Sequence, residues 1–290
     1  MHLRQIIHII RIVDFKWFVS QLFLRILRRS IDNYPIYFKY FKNKKGIEIG
    51  GPTKIFSKRE YLPLYPIVGE FDNCNFCTET VWEGKIQAGK TFKYDQNKKE
   101  GYQFICDASQ LAGIPYKTYD FVLSSHTLEH IANPLKAVKQ WLSVLKDDGL
   151  FLLVIPHKDA TFDHKRPVTA FSHLLEDFEE DTQEDDLSHL EEILAHHDLR
   201  LDPRAGHLMN FRERSLNNKN NRCLHHHVFD TKLVLEIFRY FYLDVLIVDF
   251  VFPFHIVVLG QKVPLGHRNN IDGENHRYLS RSPFPSDFQK

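Results

Sequence analysis

Carboxylates, glycines and histidines recur in this chain where extended apolar runs stop. Gly46-Ile47-Glu48-Ile49-Gly50-Gly51-Pro52 sets a carboxylate between β-branched residues, then breaks with two glycines and a proline. Such a run is a buried strand entering a tight turn, and glycines there let a ligand approach the backbone. Asp72 stands 24 residues after Glu48 and ends the next predicted strand, where a carboxylate accepts two hydrogen bonds from a ribose diol. Asp107, followed by Ala108, ends a third strand, placed to accept from an adenine amino group or to cap the segment 108–111. Ser124, Ser125 and His126 end a fourth.

Histidine, titrating near neutrality, suits proton transfer, so His126 is the first candidate base; its alternative is to position the loop before Leu128-Glu129-His130. Asp163, His164 and Arg166 follow a later strand closely enough to offer rival bases, and His225-His226-His227 supplies more imidazoles. Three successive residues cannot all face one ion from regular structure, so only His227 is expected to point inward. Cys74 and Cys77 form a lone C-x-x-C without a second pair, and no metal-ligand set is assigned.

Alternation positions these residues. Strands are predicted over Gly46–Gly50, Ile67–Asp72, Tyr102–Asp107, Phe121–His126 and Leu150–Ile155, with a helix over Pro134–Lys146. Apolar strands separated by helical stretches make a mostly parallel α/β sheet covered on both faces, with ligands at the strands' carboxyl ends. Residues 157–222 interrupt the pattern and hold ten Asp/Glu and no Lys/Arg between Glu176 and Glu192, read as a solvated face. A helix over Thr231–Phe241 and strands Leu243–Phe252 and His255–Gln261 add an antiparallel hairpin, and a polar tail from Pro264 reads as loosely held. Residues 3–29 read as one amphipathic helix with Arg4, His8, Arg11, Asp14, Gln21, Arg25, Arg28 and Arg29 on one arc. It packs on the domain or a second subunit, or lies on an anionic membrane with Trp17 and Phe18 at the interface.

Residues 1–45 are net +8 and the remainder net −7, so the only basic block is N-terminal and no nucleic-acid reader is expected. Four cysteines in 290 residues suit a reducing compartment, no N-terminal secretory signal is read, and a cytoplasmic location is expected.

At these residues the sequence resembles the class I S-adenosylmethionine-dependent methyltransferases. The matching stretches are G-I-E-I-G-G-P at 46–52, Asp72, C-D-A at 106–108, Y-D-F-V-L-S-S-H-T-L-E-H at 119–130 with Asn133-Pro134, and G-L-F-L-L-V-I-P at 149–156. The resemblance covers residues 46–156 and returns at 225–262. It implies a Rossmann-like fold and S-adenosylmethionine as cofactor. Glu48, Gly50 and Gly51 would then contact the methionine end, Asp72 the ribose and Asp107 the adenine, with Ala108 and Ser124 beside them. The third small residue of the family's turn is missing here, as in its G-G-P variants. G-x-G-x-x-G is also absent, which disfavours a dinucleotide oxidoreductase. Phe162–Pro167 and His173–Asp177 resemble bacterial methyltransferases that accompany glycosyltransferases in surface-polysaccharide pathways.

The expected activity is O-methylation of a sugar, glycan or other small polar acceptor, with His126, His164 or His227 as base. Alternatives are a non-catalytic cofactor-binding or scaffold protein, or a metal-dependent enzyme using His225–His227. The expected organisation is a helical segment (1–45), a cofactor-binding core (46–156), an acceptor-side insert (157–222), completion of the sheet (223–262) and a flexible tail (263–290). Glu48, Asp72 and Asp107 are expected around one hollow.

Overall fold

The structure, a computed structural model, describes residues 3–27, 29–263 and 275–289. Strand β1 (Gly46–Ile49) is buried along its whole length, as its apolar run demands. The other strands are β2 (Phe71–Asn75), a small hairpin of β3 (Glu79–Thr80) and β4 (Gly84–Lys85), β5 (Gly89–Phe92), β6 (Gly101–Ile105), β7 (Tyr119–Ser125), β8 (Leu145–Pro156), β9 (Leu243–Val251) and β10 (His255–Lys262). Eight form one sheet in the order β5-β6-β2-β1-β7-β8-β10-β9. β6, β2, β1, β7 and β8 run parallel, while β5, β10 and β9 each pair antiparallel with a neighbour. The sheet is therefore Rossmann-like with an antiparallel C-terminal hairpin, and buried apolar clusters cover both of its faces. Strand order reverses at β1, which leaves a crevice at the carboxyl ends of the strands beside it.

Helices α1 (Leu3–Ile12), α2 (Phe15–Ile26) and α3 (Tyr34–Phe41) precede the sheet, and α4 (Pro134–Ser143) links β7 to β8. Its six buried residues, including Trp141, pack on the sheet, and Asn133 caps its start. The insert holds α5 (Phe171–Glu179), α6 (Leu190–His196), α7 (Leu208–Leu216) and α8 (Asn218–Asn221) around a small core of Ile193, Ala205, Phe211 and Leu224. Helix α9 (Thr231–Tyr240) returns the chain to the sheet.

Three expectations need correction. The second strand begins at Phe71, not Ile67: Leu64, Tyr65 and Val68 are buried in a turn that fills the second apolar cluster. The true strand is Phe-Asp-Asn-Cys-Asn, which reads as a turn by composition but pays no penalty for burial, because Asn73, Asn75 and Gln103 bond one another. The N-terminal helix is two, because Asp14 ends the first and caps the second by accepting from Trp17 N–H at 2.8 Å. The tail is docked where it is described: after α10 (Asn275–Leu279), Phe284 is fully buried and Asp287 accepts from Thr231 N–H at 3.0 Å. Residues 264–274 of that tail, and Arg28 of the basic arc, lie outside the described residues.

Candidate active site

Gly50 leaves β1 at a φ of 87°, and a Cβ there would stand 2.2 Å from Thr127 Oγ1. Only glycine combines that backbone with that approach. At Gly51 a Cβ would meet the Glu48 carboxyl group at 2.2 Å. Glu48 thus lies beneath the turn, fully buried, accepting from Tyr65 Oη–H at 2.7 Å and Thr53 N–H at 3.2 Å. Burial pushes its carboxyl up to about 7 despite those donors. Thr127 Oγ1 donates to Ile49 O at 3.0 Å and ties the loop after β7 to the same turn.

A cavity of about 790 Å³ opens over this turn. The tips of β1, β2 and β6 contribute Ile49, Gly50, Asn75, Phe76, Asp107 and Ala108 to its wall. The tip of β7 contributes His126, Glu129 and His130, the insert contributes Phe162, Glu184 and Arg222, and the segment just after it contributes His225. Asp107 accepts from Ser109 N–H and Oγ–H through one oxygen and from Arg222 Nη2 at 2.9 Å through the other. Burial would raise its pKa, but Ser109 and Arg222 outweigh it and hold the group ionised. Arg222 also reaches Glu184 Oε2 at 2.6 Å and lies over the Phe76 ring, so it spans the cavity from the insert to the β6 tip.

Four of the expected site residues, Gly50, Asp107, Ala108 and His126, line this cavity. Glu48 and Gly51 support the turn from behind, and Ser124 Oγ points to Ile49 O at 3.5 Å within the sheet. Asp72 is elsewhere. It pairs in register with Ile47 and accepts from Tyr102 N–H at 2.7 Å and Tyr119 Oη–H at 2.8 Å. Tyr119 begins β7, so Asp72 stands at the opposite ends of the strands, and the expected single hollow for three carboxylates holds only Asp107 on its wall. Asn75, Phe76 and Glu83 occupy the β2 side of the cavity instead.

His126 has a positive φ of 52° at the end of β7, which turns its ring into the cavity. Its Nδ1 lies 3.3 Å from Glu129 Oε1 and its Nε2 2.7 Å from His255 Nδ1. Burial, with His126 alongside, holds His255 well below the ordinary imidazole value, so His255 is neutral. Burial also opposes ionisation of Glu129, but the surrounding imidazoles of His126, His130 and His225 bring its pKa below the usual value.

The other two candidate bases are not on the wall. His164 contacts Asp198 at 3.2 Å and the His8 ring of α1 at 4.4 Å. His227 bonds Ala132 O at 3.0 Å and faces His173 and His189 outside the cavity. The triplet therefore departs from expectation: His226 is buried against Asn218, His227 is buried, and His225 is the one that reaches the cavity. Arg166, 2% exposed, explains this. It donates to the carbonyls of His225 and His226 and to Asp163 and Glu192, and so fixes the triplet's backbone. The acidic run likewise turns inward in part, through Asp177, Glu184 and Glu192.

A family model described as a methyltransferase domain matches residues 20–222. No curated protein sequence matches the chain. Among solved structures, a SAM-dependent methyltransferase from Aquifex aeolicus is 12% identical, over 83% of this chain and 92% of that one, with a TM-score of 0.42. A 1,6-didemethyltoxoflavin-N1-methyltransferase from Burkholderia thailandensis, with bound 1,6-didemethyltoxoflavin and S-adenosylhomocysteine, is 10% identical over 91% and 92% of the two chains, with a TM-score of 0.44. A possible histamine N-methyltransferase from Thermotoga maritima is 14% identical over 88% and 99%, with a TM-score of 0.39.

Proposed function

This chain belongs to the methyltransferase-domain family and is an S-adenosylmethionine-dependent enzyme; on that premise we propose that it methylates a hydroxyl group of a sugar, glycan or other small polar acceptor. The observation that carries this reading is that Gly50, Asp107 and His126 share one cavity whose largely apolar wall is studded with Arg204, Arg214, Arg222, His130 and His225. The sulfonium donor lies along the β1, β2 and β6 tips. Its amino-acid end meets the turn at Gly50, its diol meets Asn75 and Glu83, and its base meets Asp107 and Ala108. Arg222 gives up Asp107, or shares it, when the adenine amino group arrives.

The acceptor takes the side of the cavity toward His126, Trp82 and Phe162. Methyl transfer is an in-line displacement for which the protein mainly orients the partners and excludes water. The acceptor oxygen forms the new bond to the methyl carbon while the carbon–sulfur bond breaks with its electron pair staying on sulfur, leaving S-adenosylhomocysteine. The acceptor's proton goes to His126. Its Nε2, 2.7 Å from His255 Nδ1, is the nitrogen that takes the proton, shared with His255 until the acceptor arrives. A lipid-linked glycan suits α1 and α2, which expose Leu3, Phe15, Phe23 and Ile26 beside Arg4, Arg11 and Lys16, while Gln5 of α1 lines the cavity.

The test is methyl transfer from labelled S-adenosylmethionine to a panel of hydroxylated sugars and amines. His126→Ala is expected to lower kcat by about 100-fold or more while S-adenosylhomocysteine affinity stays within about threefold. Transfer to amines alone, or undiminished turnover in the variant, contradicts the assignment.

A further inference from the structure

Glu129, His130 and His225 present one ligand atom each within 4.8 Å of one another, on the wall of the cavity. From sequence, a histidine metal site is considered only within His225–His227; Glu129 and His130 stand nearly a hundred residues before His225. The Glu129 carboxylate is 1% exposed, yet neither of its oxygens has a hydrogen-bond donor; His126 Nδ1, at 3.3 Å, is too poorly aligned to serve. A buried carboxylate left without a donor is costly unless something cationic completes it. Both imidazoles are set up to do so through a shared ion. His130 Nδ1 lies 3.0 Å from Leu224 O, and His225 Nδ1 lies 2.6 Å from Asp163 Oδ2. A carbonyl and a carboxylate only accept, so each Nδ1 carries the proton and each Nε2 is the nitrogen left to ligate. That carbonyl–histidine and carboxylate–histidine arrangement is what orients metal-bound imidazoles.

We propose that Glu129, His130 and His225 bind a divalent first-row transition ion of the Zn2+ class, with its remaining coordination positions open to the acceptor. Two imidazoles and one carboxylate match such an ion in ligand type and number, and three protein ligands leave room for an oxygen of the bound acceptor. Asp163 is a positioning residue, held in turn by Arg166 Nη1 at 3.1 Å. The ion lies close to the methyl donor because Leu128–His130 directly follows Thr127, which is bonded to the turn before Gly50. The other imidazole cluster differs. His173 Nε2 and His189 Nε2 bond each other at 2.8 Å, His227 Nε2 is taken by Ala132 O, and none of the three lines the cavity.

This inference rests on the cavity being the methyl-transfer site, and the test separates the two. The full chain, stripped with chelator, is titrated with Co2+ and Zn2+, read by visible absorption and by metal analysis, and with S-adenosylhomocysteine by calorimetry. The expected result is micromolar metal binding with a Co2+ spectrum of nitrogen and oxygen ligation. Glu129→Gln and His225→Ala lose that spectrum and one equivalent of metal. Asp163→Asn weakens affinity about 10- to 100-fold, His173→Ala leaves the spectrum intact, and all four variants still bind S-adenosylhomocysteine. If the wild type binds S-adenosylhomocysteine but no metal, or if Glu129→Gln and His225→Ala both keep the wild-type Co2+ spectrum, the metal site is refuted and the methyltransferase reading stands. Should either variant lose S-adenosylhomocysteine binding through misfolding, the wild-type titration and the other variant decide.

Discussion

Glu48 supports the cavity from beneath its wall. Its carboxyl fills the space under Gly51 and receives Tyr65 and Thr53, so it fixes the turn over which the donor is proposed to lie. Burial raises its folded-state pKa from 4.5 to about 7. Between those values the folded protein keeps a proton that the unfolded chain has released, so stability falls as pH rises across that window. Glu48→Gln lacks this dependence. Urea unfolding at pH 4.5 and 7.5 is expected to move the difference between wild type and variant against the wild type by up to about 3 kcal/mol. A difference that does not change with pH would show that Glu48 is ionised in its buried place. Asp72 makes the converse point. Its spacing from Glu48 suited a ribose contact, but the carboxylate spends itself on Tyr102 and Tyr119 at the far edge of the sheet.

Among the elements, the sheet was the legible part. Continuous apolar runs such as Leu150–Ile155 specify buried parallel strands, and Gly50-Gly51 specifies the turn, because local pattern and final burial agree there. β2 was missed at both ends because its interior is Asp-Asn-Cys-Asn, polar residues tolerated only through partners supplied by β6 and the turn. The insert was expected on the acceptor side, but the residues it puts on the cavity wall were not named, for a similar reason. Glu184 and Arg222 look solvated in one dimension, yet they pair with each other, and Arg222 with Asp107 far back along the chain. The N-terminal arc reached too far because periodicity carries no signal for a break, and Asp14 was counted as one more polar position. What the two helices expose, apolar side chains flanked by Arg4, Arg11, Lys16 and Arg25, is the basis of the membrane proposal. The protein is expected to sediment with anionic vesicles and to be released as salt rises past the physiological range. Equal sedimentation with neutral vesicles, or none, assigns that surface to another partner. No helix of the described residues is long and apolar enough to cross a membrane.

At the scale of the whole molecule, three bodies of sequence meet at one crevice. The parallel strands deliver the turn and Asp107, β10 delivers His255 behind His126, and the insert and the segment just after it deliver Arg222 and His225 from the other side. The family assignment rests on residues 20–222, which include both the strand tips and the whole insert. That the donor lies across the β1, β2 and β6 tips is the claim on which the assignment of every site residue depends. Its most direct test is calorimetric titration of S-adenosylhomocysteine into the wild type, Asp107→Ala and Asp72→Asn. The wild type is expected to bind in the micromolar range, Asp107→Ala to lose about tenfold or more from a lost charge-assisted hydrogen bond, and Asp72→Asn to bind within about threefold of wild type. No heat with the wild type, or Asp72→Asn losing as much affinity as Asp107→Ala in a folded protein, would contradict it.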